Sequence, residues 1–179
     1  VADGRVYRVA GGAPLYVASW DNIGGAQAVT SLDPFEFDNY QHLRRTPADM
    51  FIRGLPSQRV FRVAAGGHPY YVGSWAPFGG QQPFLDVDDW AIDNCDHLVC
   101  SPFGALDSAS GGAGSVKVTG WAMDPNAVST ATAIHLYIGG PAGDANAEGH
   151  NLGVAKLARS DIAASYPGTG ADHGFSTTI

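Results

Sequence analysis

Basic residues are scarce in this chain: ten Lys and Arg stand against 17 Asp and Glu, and only three of the ten follow Arg62. A protein that grips a phosphate backbone needs a cationic stripe, so nucleic-acid binding has no support. An anionic membrane surface is disfavoured for the same reason. No apolar run approaches the roughly 20 residues of a membrane-spanning helix. No signal-peptide pattern opens the chain, which decides little, since a mature exported protein has lost its own. Catalytic signatures are missing as well. There is no G-x-S-x-G elbow and no H-E-x-x-H. The segment GGAGSVK lacks the spacing of a phosphate loop. The acidic group Asp86, Asp88, Asp89 and Asp93 lacks the order of a calcium loop, and a helix cap with a solvated face explains it.

Cysteine is limited to two residues, Cys95 and Cys100 in DNCDHLVCSP. Zinc would need further ligands at metal spacing, and only His97 stands nearby. A C-x-x-C redox pair is absent. Two readings remain: a small disulfide closing the end of a helical turn, which places the protein outside a reducing cytosol, or two buried thiols. No metal and no cofactor is expected.

What the chain has in quantity is Gly (24), Pro (11) and aromatic residues at 11%. Turn formers between short runs of Val, Tyr, Trp and Thr predict β structure with tight connections. It also says one thing twice. RVYRVAGGAPLYVASW (residues 5–20) returns as RVFRVAAGGHPYYVGSW (residues 59–75), at an offset of 54 that becomes 55 after one inserted residue. Arg8 matches Arg62, Tyr16 matches Tyr71, Trp20 matches Trp75 and Gln27 matches Gln82. Further on, Asp33, Asp38, His42 and Leu43 match Asp88, Asp93, His97 and Leu98. This is an internal duplication, with copies at about 5–58 and 59–104.

Each copy reads as strand, Gly-rich turn, strand, Gly-rich loop and short helix. VYRVA and LYVASW alternate with period two, and the glycines between them supply positive φ. Asp33 and Asp88 are predicted helix N-caps, with Pro34 suited to a first helical position. Phe37, Tyr40 and Leu43, matched by Ile92, Cys95 and Leu98, have helical spacing. The segment MFIRGLPSQRVFRVA (residues 50–64) predicts a hairpin joining the copies. Its first strand has no counterpart before Val1, because the chain begins in mid-unit. Residues 105–113 read as a flexible linker. Beyond it, SVKVTGWAMD, TAIHLYIGG and HGFSTTI predict strands, and SDIAASYPG a short helix capped by Ser160. The expected fold class is mainly β: two β-rich repeats forming one pseudo-symmetric domain over 1–104, then an Ig-like β-sandwich over 114–179. That sandwich is expected to be incomplete, with an open edge at 175–179 that a partner segment would cover.

The repeat VYRVAGGAPLYVASWDNIGG, with its later HL, FIRG and intervening Pro and Asp, resembles units of secreted actinobacterial proteins. The segment from VTGWAMDP to ARSDIAASYPGTGADHGF is similar to an accessory β-sandwich domain of the same kind of protein. Such units stand beside exported enzymes, including peptidoglycan hydrolases and lipases. The resemblance implies a secreted, cell-envelope-associated module and carries no activity.

Two equal copies also weigh on chemistry. A catalytic constellation is assembled once and asymmetrically, so duplicated Asp33, Asp38, His42, Asp88, Asp93 and His97 are expected to be structural. Two tethered weak sites would gain avidity on a polymer such as cell-wall polysaccharide. Sugar rings stack on aromatic faces, which nominates Tyr16, Trp20, Tyr71 and Trp75, aided by Gln27, Gln82, Arg8 and Arg62. Each aromatic taken singly is better suited to a core, and Arg8 and Arg62 could instead pair with Asp33 and Asp88. The expected function is a non-catalytic glycan-binding anchor for a larger exported protein. The alternatives are an assembly subunit whose open sheet edge takes a partner strand, and a cell-wall hydrolase using an unfamiliar site.

Overall fold

A computed structural model describes residues 4–39 and 42–179. Tyr40, expected on the first helix, lies outside them. The chain is mainly β and divides into two compact units, Val1–Ser101 and Pro102–Ile179.

In the first unit the two copies begin alike. β1 (Tyr7–Ala10) and β2 (Ala13–Tyr16) form an antiparallel hairpin, with Tyr7 opposite Tyr16. Gly11 and Gly12 make its turn at φ 52° and 85°, where a side chain would be strained. The second hairpin, β4 (Val60–Ala64) and β5 (His68–Tyr71), repeats the arrangement. Each hairpin runs into a 3-10 turn, Trp20–Ile23 or Ala76–Phe78, closed by a left-handed glycine. The expected strand LYVASW therefore stops at Tyr16, and Trp20 belongs to the turn. α1 (Pro34–Asn39) and α2 (Asp89–Asp93) end the copies, capped by Asp33 and Asp88 as the sequence predicts.

The copies then differ. β3 (Met50–Leu55) runs antiparallel to β4 and parallel to β6 (Phe84–Asp88), giving a sheet of order β5-β4-β3-β6. The stretch equivalent to β6 in the first copy, residues 29–33, forms no strand. β1 and β2 stand as a two-stranded sheet. The core gathers Leu15, Ile52, Val63, Val87 and Ile92 from both copies. Gly54 is required by close approach: a Cβ there would meet the Asp89 carboxylate, which is held by Ser57 N and Oγ, each at 2.7 Å.

In the second unit, the residues expected as a linker form strand β7 (Phe103–Gly112), paired along its length with β8 (Ser115–Met123). Gly and Ser are weak strand formers, but β8 supplies ladder partners on both sides of a bulge at Asp107, which overrides local preference. β9 (Ala133–Ile138) and β10 (Glu148–Val154) make a separate hairpin. β11 (Leu157–Ala158) and β12 (Asp172–Thr178) complete a four-stranded sheet of order β11-β12-β8-β7. α3 (Ser160–Ser165) starts at Ser160 itself, preceded by Arg159 at the cap position without a side-chain cap bond. The 175–179 segment is paired on one side: β8 takes 175–178, and Ile179 exchanges both backbone bonds with Val116. Short β11 pairs with Asp172 and Gly174, ahead of that segment.

Candidate functional site

The first copy holds a groove of about 480 Å³. One wall is β1 with Val6, the other is residues 29–32, and Trp20, Ile23 and Phe37 line it between them. Three of the sequence candidates, Arg8, Trp20 and Gln27, come together here. Tyr7 leans on Phe37 with ring centroids 4.5 Å apart.

The same positions in the second copy have other surroundings, because β3 occupies the place between β4 and β6. Trp75 packs against Phe51 of β3 at 5.2 Å and stacks on Phe84 of β6 at 6.4 Å. Arg62 clamps Asp49, the residue just before β3, through Nε at 3.0 Å and Nη2 at 2.7 Å. The alternative pairing of Arg62 with Asp88 is thus replaced by one with Asp49. Arg53 of β3 binds Asp86 of β6 at 2.6 and 2.8 Å. The Arg53 hydrogen bond holds the Asp86 carboxyl below its ordinary range. In the first copy, Ser31 stands where Asp86 does.

The remaining candidates are mostly engaged in structure. The Tyr16 ring lies between Tyr7 at 5.5 Å and Trp90 at 5.0 Å, and its N–H donates to Asp96 Oδ2 at 2.7 Å. Gln27 and Gln82 make the same local tie, donating to the carbonyls of Ile23 at 3.0 Å and Phe78 at 2.9 Å. Tyr71 is the open one, 56% exposed on the edge of its sheet.

Asp88 is 1% exposed and joins the copies. Its Oδ2 accepts from Ala18 N at 2.8 Å and Ser19 N at 3.2 Å, while Oδ1 accepts from Trp90 N at 2.9 Å and Asn22 Nδ2 at 3.0 Å. Asp33, its counterpart, is exposed and caps only its own helix, accepting from Phe35 N at 2.7 Å. Asp93 takes Arg59 at 2.7 Å, whereas Asp38 is exposed. The Nδ1–H of His97 donates to the Arg45 carbonyl at 3.0 Å, and His42 is exposed. The duplicated histidines thus have different environments. Desolvation lowers the His68 pKa, while its bond to the Val99 carbonyl works the other way. Cys95 and Cys100 form a disulfide. Among the described residues no group of His, Cys, Asp and Glu is arranged to hold a metal ion.

Sequence reasoning missed residues 29–32, Asp49 and Trp90 as parts of these sites. Aligning the hairpin 50–64 with both copies would have flagged the first two, since β3 pairs with β4 and no described residue takes that place beside β1. No family model, curated protein or solved structure matches the chain.

Proposed function

We propose that this chain is a non-catalytic module of an exported protein whose first repeat takes up an extended segment in the place that β3 holds in the second. The observation behind it is the contrast between the repeats: β3 fills the space between β4 and β6, and the same space between β1 and residues 29–32 is an open groove. Backbone ladders give affinity to such strand addition, and alternate side chains give specificity. By the register of β3, the segment runs antiparallel to residues 6–9 and parallel to residues 29–33. Arg8 stands where Arg62 holds Asp49, which favours an acidic residue just before the apolar run. The Cys95–Cys100 disulfide agrees with an oxidising compartment, and the repeat's resemblance supports a role at the cell envelope.

The test is titration of the peptide ADMFIRGLP, residues 48–56, into isotope-labelled protein followed by NMR. Shifts should gather at residues 6–9, at 29–32 and at the Trp20 indole. The Ile52→Asp peptide should bind at least about tenfold more weakly, because a charge would enter the apolar floor. No shifts, or shifts elsewhere, would remove the reading.

A glycan is the second reading, favoured by one feature: Trp20, Gln27 and Arg8 line the same groove. Stacking face, amide and cation suit a sugar. Retention on cell walls that disappears both on stripping polysaccharide and in Trp20→Ala would support it over the peptide.

A further inference from the structure

Inside the first unit the two copies meet through unlike faces. The first offers its hairpin and the following turn; the second offers β6 and α2. The contact consists of Tyr16 packed edge-on against Trp90, the amides of Ala18 and Ser19 on the Asp88 carboxylate, and the amide of Tyr16 on Asp96. An interface between unlike faces does not close on itself, so each face used inside leaves its counterpart at the opposite end.

The aromatic and capping counterparts are present and uncovered, although residues 29–33, equivalent to β6, form no strand. Tyr71, the equivalent of Tyr16, is 56% exposed, and Phe35, the equivalent of Trp90, is 61% exposed. These are among the most exposed large apolar side chains of the chain. The turns that carry the donor amides are built alike. Ser19 Oγ accepts from Asp21 N at 3.2 Å, and Ser74 Oγ accepts from Ala76 N at 3.2 Å. Gly25 N donates to the Trp20 carbonyl at 2.7 Å, and Gly80 N to that of Trp75 at 3.1 Å. The acceptor of the two turn amides matches too, while the position equivalent to Asp96 is Gln41. Asp33 and Asp88 cap their helices identically, and Asp33 is exposed where Asp88 is buried under the neighbouring turn.

We infer that the first unit associates head to tail with a second copy of the chain. Tyr71 of one molecule packs on Phe35 of the next, and the amides of Gly73 and Ser74 reach its Asp33. This goes beyond the strand-accepting groove and does not depend on it. Within the chain the contact is helped by a tether worth roughly millimolar effective concentration. Between chains it has no such help and shows at high protein concentration.

Sedimentation velocity between about 10 µM and about 1 mM tests it over the range in which an untethered contact of this size should populate. The average mass should climb with concentration without settling at a dimer. Phe35→Ser and Tyr71→Ser each remove one face at an exposed position, so each variant should keep its circular dichroism spectrum and stay monomeric. An equal mixture of the two should form a one-to-one dimer and nothing larger, since one intact face remains on each. Asp33→Asn keeps the helix cap and should weaken association severalfold. A monomer at every concentration would overturn the inference. So would association that survives Phe35→Ser, or variants that fail to pair with each other.

Discussion

At the residue scale, one side chain differs most between its two copies. Asp88 is buried and accepts from two amides of the first copy, an Asn side chain and its own helix cap, whereas Asp33 makes the cap alone. Hydrogen bonds to a charged acceptor are worth more than neutral ones, and their donors would be stranded on its removal. Asp88→Ala should therefore cost about 3 kcal/mol in urea unfolding, and Asp33→Ala about 1 kcal/mol, the worth of a cap alone. Equal losses would refute the asymmetry. A second residue-scale case is Asp161, whose carboxyl is pushed down to about 2, chiefly by its hydrogen bond to Arg159. Arg159 also reaches Asp107 of β7 at 2.6 Å. A carboxyl depressed in the folded state adds stability that is present above its unfolded value near 4 and lost as pH falls towards 2. The second unit, followed by Trp121 fluorescence, should weaken between those values. Asp161→Asn should flatten that dependence relative to wild type, and an unchanged profile would count against the pairing.

At the element scale, the decisive strand is β3. It carries Phe51, against which Trp75 packs, and Arg53, which binds Asp86. Trp75→Ala removes an aromatic that joins β3, β6 and the 3-10 turn, and should destabilise by about 3 kcal/mol. Trp20→Ala removes part of a groove lining and should cost clearly less. Similar losses from both would mean that the first copy is packed as fully as the second. The disulfide closes a small loop just after α2. Loop entropy for five residues of separation corresponds to roughly 2 kcal/mol, so reduction should lower the unfolding free energy of the first unit by about that amount. The Cys pair was legible from spacing as one of two readings. β7 was not legible, because its Gly and Ser become a strand only when β8 lies beside them.

At the scale of the whole molecule, duplication produced two copies with different surroundings, and the association proposed through their end faces is what the sedimentation experiment measures. The sequence by itself determined the repeat, the hairpin turns, the Asp caps and the mainly β class. Those depend on neighbours a few residues apart, and on side-chain periodicity that a short window displays. Only the tertiary structure decided which copy is closed. Residues 84–88 and 29–33 hold matching positions, yet the first set is strand β6 and the second is not. A parallel strand has no partner within its own neighbourhood and must find one far along the chain. For β6 that partner is β3, more than 30 residues earlier. The first copy has none among the described residues, so the same pattern of residues leaves a groove instead of a sheet.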